Sequence, residues 1–336
     1  MADSKIPIIL CIDVEPDQRL LDRTGGSTWK GYEQVYELTR KIRPSLEIVT
    51  NAPVHFSWFY RLDPQIEESC GRADYPLTEY GSYVESLQKC GDSLGVHPHY
   101  YKWSEIHGTW VQNRGDEDWT NHCVQMCFEV FEKTLGEKSD SIRFGERWMS
   151  NSALALAEKM GARFDLTPEP GHQARGALVN DELFTGFLPD FIDTPQEPYR
   201  PSQTNFRKAD PSRTQGIWII PLSTGHIQYQ FGRLERLYRR LFTPYLLEPQ
   251  CFTLNLSLCS PRNILKIADE LLNSLEKPYL SFVIRSDAGI VPRERKNLED
   301  NLEFLIHHPL AERFRFSTAE ETMKMLGLLE NGSHGA

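Results

Sequence analysis

Short apolar runs alternate along this chain with stretches in which apolar residues return every three or four positions. The first run, Ile8-Ile9-Leu10-Cys11-Ile12, lies between Pro7 and Pro16 and ends in Asp13-Val14-Glu15-Pro16-Asp17. A β-branched run of this length predicts a buried strand of the kind found in parallel sheets covered by helices. A helix is expected from Tyr32 to Ile42, closed by Pro44, and the alternating aromatic stretch Pro53–Tyr60 reads as a strand. Tyr80–Cys90 has helical spacing with Gly91 as its stop. Ser93-Leu-Gly-Val-His97-Pro-His99 reads as a strand ending in histidines, and Val124, Phe128, Phe131 and Leu135 mark a helix over Asn121–Leu135. The pattern continues with a strand at Ser141–Phe144, a helix at Asn151–Met160 and strands at Ala162–Asp165 and Ile217–Leu222. Next come a helix opened by Ser260-Pro261, with Ile264, Ile267, Leu271 and Leu275 on its buried face, and a strand at Tyr279–Ile284. A helix near Leu298–Ile306, a strand at Phe314–Phe316 and a last helix with capping-box spacing over Ser317–Glu320 complete the chain. Leu166–Gln215, rich in Pro, Gly, Thr and Gln, has weak periodicity and reads as an elaborated surface loop or lid. Seven or eight strands, most followed by a helix, predict one (β/α) barrel domain over residues 1–329.

With 336 residues, 40% of them hydrophobic, the chain can bury a large core. A net charge of −10 supplies no positive field for a phosphate backbone, so nucleic acid is not an expected partner. Arg233–Arg240 is locally basic but reads as the outer face of an amphipathic helix. No run is long enough to span a membrane, and the N-terminus lacks the marks of a signal segment, so the expected location is cytoplasmic. The 7 cysteines show no disulfide-framework spacing; Cys11 and Cys259 look like small buried hydrophobes, and Cys123 and Cys127 could share a helix face. The tail 330–336 is small and polar and is expected to be disordered. Nothing in these residues specifies an oligomeric state.

The chemistry gathers at strand ends. Side chains alternate across a strand, so Asp13, Glu15 and Asp17 can share one face at a tip where α/β folds place their sites. His97 and His99, two residues apart at a strand end, can point the same way. Imidazole nitrogen suits zinc and related ions, and Glu15 is the candidate carboxylate partner. The residues leave open whether both histidines are ligands or one contacts substrate.

Asp13-Val-Glu15, Gly95-Val-His97-Pro-His99 and Ser141-Ile-Arg143-Phe-Gly-Glu-Arg147-Trp148 resemble, in this order, the motifs of the polysaccharide deacetylase family, the NodB-type or carbohydrate esterase family 4-like proteins. The resemblance implies a distorted (β/α) barrel of about seven strands and a divalent metal, zinc first among candidates, held by one acid and two histidines. It implies Asp13 as general base, Glu15 and His97 as ligands, Arg143 as the arginine that orients the base, and Trp148 as a wall of the pocket. Two positions depart from the family pattern. Tyr101 stands where the second histidine is usual, so His99 is expected to complete the metal site; Arg285, in Tyr279-Leu-Ser-Phe-Val-Ile-Arg285-Ser-Asp287, stands where a histidine protonates the leaving amine. Guanidinium gives up no proton at neutral pH but can stabilise an oxyanion. Asp287, Glu146 and His226 are the candidates for the missing acid. Expected substrate contacts are Tyr101, Trp103, Trp148 and His226. The implied reaction is metal-dependent removal of an acetyl or similar acyl group from an N-acylated sugar or other small amide. The alternative is an impaired member of the fold that binds a carbohydrate or protein partner.

Overall fold

The structure, a computed structural model, describes residues 5–174, 184–185, 188–228, 240–243 and 248–330. Its main sheet is parallel throughout. The strands in chain order are β1 (Ile6–Val14), β2 (Ser57–Tyr60), β3 (Ser93–Val96), then β4 (Tyr101–Ser104) and β5 (Thr109–Asn113), which form an outlying hairpin. They continue as β6 (Ser141–Ile142), β7 (Phe164–Asp165), β8 (Phe184–Thr185), β9 (Trp218–Ile219), β10 (Thr224–Ile227), β11 (Gln250–Thr253), β12 (Leu280–Arg285) and β13 (Phe314–Phe316). The main sheet runs β12-β1-β2-β3-β6-β7-β9, with β13 pairing the start of β1. Between β9 and β12 the wall is carried by irregular backbone: Ser223 N–H donates to Ser281 O, Leu254 N–H to Ser223 O, and Val283 N–H to Leu254 O. The result is a distorted (β/α) barrel.

β1 is central, and all nine of its residues are buried. Its alternation sorts them into two cores. Ile8, Leu10, Ile12 and Val14 pack outward against the helices, whereas Ile9 and Cys11 join Phe59, Phe164, Leu166, Ile220, Leu222, Tyr279 and Val283 inside the barrel. The inner row of β1 therefore runs Ile9, Cys11, Asp13, apolar at depth and acidic at the mouth. Asp13 stands beside Arg285 on one side and Phe59 on the other, and Phe59 beside Gly95. A Cβ at Gly95 would lie 2.7 Å from both the Phe59 ring and Ser141 Oγ, so glycine is what gives the Phe59 ring its room in the inner core.

The helices are α1 (Lys30–Thr50), α2 (Pro64–Cys70), α3 (Tyr75–Thr78), α4 (Gly81–Lys89), α5 (Glu117–Leu135), α6 (Asn151–Met160), α7 (Pro261–Ser274), α8 (Pro292–His307) and α9 (Ala319–Met325). Three expectations need correction here. α1 runs through Pro44 to Thr50 rather than ending before it, because Val35, Tyr36, Thr39, Leu46 and Thr50 are all buried along one face and outweigh the lost hydrogen bond, roughly 3 kcal/mol for an interior proline. The capping box of α9 is Thr318 with Glu321, one residue on from the expected pair. Within 166–215, Phe191, Tyr199 and Phe206 are buried in the outer core, so this segment is partly structural. Residues 233–239, in the expected basic helix, and 331–336 of the tail lie outside the described residues. Cys123 and Cys127 are buried in the outer core rather than gathered in a ligand set. No helix among the described residues is long and apolar enough to cross a membrane.

Asp165, at the end of β7, is fully buried. Its Oδ1 accepts from the Thr167 hydroxyl at 2.6 Å, while Oδ2 has no partner among the described residues. Burial pushes its carboxyl from an ordinary 3.8 up to about 7. The folded chain thus keeps a proton that the unfolded chain loses, so this contribution to stability is full below about pH 4 and is lost as the pH rises through 7. The asparagine variant Asp165→Asn, which carries the same shape without the charge, is expected to be more stable than the wild type at pH 8 by on the order of a few kcal/mol, with the gain fading by pH 5. Urea unfolding at the two pH values checks this; a gain independent of pH would contradict it.

Candidate metal centre

Three side chains meet at the mouth of the barrel. Glu15 Oε1 lies 3.0 Å from His97 Nε2 and 3.1 Å from His99 Nε2, and the two Nε2 atoms are 3.0 Å apart. Ligands about 2.0–2.1 Å from a tetrahedral cation stand roughly 3.3 Å from one another, so this spacing is close to what one ion would draw together. Among the described residues this is the one group of three acids, cysteines or histidines with ligand atoms so placed.

Each of the three side chains is held from behind. Glu15 N–H donates to Ser286 Oγ at 2.7 Å, and the Ser286 hydroxyl donates back to Glu15 O at 2.8 Å, which locks the chain just past β1. His97 Nδ1–H donates to Arg143 O at 2.5 Å, fixing the tautomer that leaves Nε2 with its lone pair toward the centre. His99 stacks on the Tyr101 ring, 5.9 Å between centroids at 11°, and on its other side meets Gly145. A Cβ at Gly145 would run into the His99 ring, so the missing side chain there is what admits the imidazole. Behind Tyr101 the Arg61 guanidinium, itself paired with Asp63 at 2.8 Å, lies 5.7 Å from the ring centroid.

Burial and neighbouring charges act differently on the three side chains. Burial and then Arg61 hold His99 well below its ordinary value, so its imidazole is neutral. For Glu15, burial pushes upward, but Arg285 and the hydrogen-bonded imidazoles overcome it and keep the carboxyl well below its usual range. Burial pulls His97 down, and Asp13 and Glu15 outweigh it, raising the group on balance. Asp13 sits beside the triad, its Oδ2 3.9 Å from His97 Nε2. It accepts from Arg143 Nε at 2.8 and 3.0 Å. Arg285 Nη2 lies 3.4 Å from Glu15 Oε2 and also pairs with Asp287, while its buried Nε has no partner among the described residues.

These groups open on a cavity of about 470 Å³ lined by Asp13, Glu15, His97, Arg143, Arg285 and Val283 among others. The sequence-predicted residues divide accordingly. Asp13, Glu15, His97, His99, Arg143 and Arg285 come together. Asp17 does not: it accepts from the backbone N–H groups of Lys30 (3.0 Å) and Gly31 (2.7 Å) and so caps α1. Tyr101 is buried beneath His99, and Trp148 lies in the outer core with its ring 4.6 Å from that of Tyr100; neither lines the cavity. Trp103 belongs to a separate surface depression with Leu20–Thr24 and Trp110, and His226 is exposed on β10. Of the candidate acids, Glu146 lines the cavity and Asp287 flanks it through Arg285.

Sequence reasoning missed a second set of lining residues: Arg147, Glu169, His172, Cys251 and Thr253. The available signal was Glu169-Pro-Gly-His172, a charged residue and a histidine inside an otherwise unpatterned stretch. Glu146 and Arg147 both adopt positive φ, 54° and 58°, which for non-glycine residues is uncommon and is concentrated at functional sites.

Comparison with known proteins supports the fold. No family model and no curated protein matches the chain. Among solved structures, a provisionally named glycoside hydrolase/deacetylase from Parabacteroides distasonis superposes with a TM-score of 0.56 at 14% identity, over 96% of this chain and 71% of that one. A provisionally named polysaccharide deacetylase from Pseudomonas aeruginosa PAO1 matches with a TM-score of 0.48 at 12% identity, over 96% and 91%. A family 4 acetyl xylan esterase from Clostridium thermocellum, solved with a cobalt ion, gives 0.43 at 9%, over 96% and 93%. The first of these carries the comparison, and at such identity it shows a shared fold alone.

The fit of His99 against Gly145 yields a test. Gly145→Ala is expected to push the imidazole out of line and weaken zinc or cobalt binding at least ~10-fold, as loss of an orienting contact does. Titration of the apoprotein with cobalt(II), followed by its visible absorption, reads this; unchanged affinity would contradict the assignment of His99 as a ligand.

Proposed function

We propose that this chain, with its NodB-like deacetylase fold, is a metal-dependent hydrolase that removes an acetyl or similar small acyl group from the nitrogen of a sugar-like substrate. The observation that carries the reading is the convergence of Glu15, His97 and His99 within 3.1 Å of one another, with the Asp13–Arg143 pair at their side and a cavity in front. Zinc is the first candidate for an ion held by one carboxylate and two imidazoles. Bound there, a divalent cation would supply Lewis acidity to the substrate carbonyl and make water a better nucleophile.

The remaining work falls to side chains. Asp13 takes the proton of the attacking water, and Arg143 holds its carboxylate in place through Nε. Such a general base accounts for roughly 10²–10⁴ in rate. Arg285, held charged above all by Glu15, keeps its Nε–H without a partner among the described residues and can donate it to charge developing on the substrate oxygen. Protonation of the departing nitrogen is assigned to Asp287. Burial and then Glu15 push its carboxyl up to about 7, and it adjoins the cavity through Arg285. An acid of this kind is protonated and useful below about pH 7 and is spent above it.

Acetate release from N-acetylated amines by the zinc-loaded protein tests the proposal. Activity is expected to vanish with a chelator and return with metal. Asp13→Asn is expected to lower kcat by about 10² or more while metal stays bound, and the wild-type rate should decline above about pH 7 in a limb that Asp287→Asn abolishes. Metal bound without any turnover would contradict the hydrolase reading.

A further inference from the structure

Beyond the metal-ligand triad, the same cavity carries four side chains that the hydrolysis does not use. Arg147 Nη1 donates to His172 Nδ1 at 3.0 Å and to Glu169 Oε2 at 3.3 Å. His172 Nε2 donates to Thr253 Oγ1 at 3.0 Å, and the Thr253 hydroxyl donates to the same Glu169 Oε2 at 2.6 Å. The directions are mutually consistent: the Thr253 proton goes to the carboxylate, so its oxygen accepts from a neutral His172, whose Nδ1 in turn accepts from Arg147. They come from three separate places, the turn after β6, the segment after β7 and the end of β11, and they close into a ring.

The ring is linked to the triad through one short turn. Gly145 receives the His99 ring, and two residues later Arg147, in its positive-φ conformation, sends its side chain to Glu169 and His172. Holding a non-glycine residue this way is strained, and the surrounding contacts must offset that strain.

What the ring leaves over decides what it can bind. Its one guanidinium and one carboxylate cancel in charge. Glu169 is only 6% exposed, and all of its bonds fall on Oε2; Oε1, together with Arg147 Nε and Nη2, has no partner among the described residues. The ring thus keeps donors and an acceptor side by side. A substrate phosphate or carboxylate would meet Glu169, and a substrate ammonium would meet Arg147. Hydroxyls, which donate and accept at once, meet both without a charge penalty. The cavity, about 470 Å³, is at the lower end of small-molecule sites, roughly 300–1,000 Å³.

We propose that Arg147, His172, Thr253 and Glu169 form a hydroxyl-binding subsite that selects an uncharged, polyhydroxylated N-acyl substrate about the size of a monosaccharide; the selection among substrates rests on the hydrolase reading above, whereas the binding does not. Four proteins test it: the wild type, Glu169→Gln, Arg147→Gln and the milder Thr253→Val. Three substrates are compared: N-acetylglucosamine, N-acetylcyclohexylamine, which has a six-membered ring without hydroxyls, and N-acetylglucosamine 6-phosphate. The wild type is expected to prefer the first at least ~10-fold in kcat/KM over each of the others. The variants should raise KM for it at least ~10-fold while leaving the cyclohexyl compound unchanged, as loss of a hydrogen bond that the site is built to make to a substrate hydroxyl does. Equal losses on the sugar and the cyclohexyl compound, or none on either, would overturn the subsite while leaving the hydrolase intact. Calorimetric binding of N-acetylglucosamine to the chelator-treated, metal-free protein reads the subsite independently of turnover. At least ~10-fold weaker binding by Glu169→Gln and Thr253→Val supports it even in a protein that hydrolyses nothing, and unchanged binding overturns it.

Discussion

Charge pairing at the mouth of the barrel governs this molecule. Carboxylates at the end of a buried strand survive only when each has a partner, because an unpaired buried charge costs several kcal/mol. Asp13 has Arg143 from the neighbourhood of β6, and Glu15 has Arg285 from β12 together with two imidazoles from the segment after β3. Parallel pairing makes this possible: the register that sets Asp13 beside Arg285, and Val96 beside Ile142, delivers strand ends to one side of the sheet. The apolar layer below, with Phe59 over Gly95, closes off the depth of the barrel.

Much of this could be read before the coordinates. The alternation in Ile8–Glu15 identified the acids of the mouth, and His97-Pro-His99 placed two imidazoles on one side because both carry a strong local signal. The same logic went too far at Asp17, where an Asp two residues past Glu15 is drawn off by the unsatisfied N–H groups at the start of α1. Aromatic residues were harder. Tyr101, Trp103 and Trp148 are near the strand ends in sequence, yet whether such a ring faces a cavity or a core depends on packing that sequence spacing does not encode. Glu169, His172 and Thr253 were unreadable for another reason: they meet only because β10 and β11 fold back beside the segment after β7, in a region without periodicity.

The departures from the family pattern acquire a physical sense in this setting. His99 brings its Nε2 to 3.0 Å from that of His97, with the Tyr101 ring beneath it and no side chain at Gly145 to block it. Arg285 sits against Glu15 and brings Asp287 with it, so a positive charge and an acid stand together at this edge of the site. The cavity is then polar at both the triad and the Arg147–Glu169 ring, with apolar residues such as Leu188, Phe252 and Val283 also lining it.

A crystal structure of the protein soaked with zinc, with diffraction measured on either side of the zinc absorption edge, tests the central claim most directly. One anomalous peak is expected about 2.0–2.2 Å from Glu15 Oε1, His97 Nε2 and His99 Nε2, with Asp13 adjacent and outside the ligand set. Zinc bound elsewhere, or those three side chains turned apart with no peak between them, would contradict it.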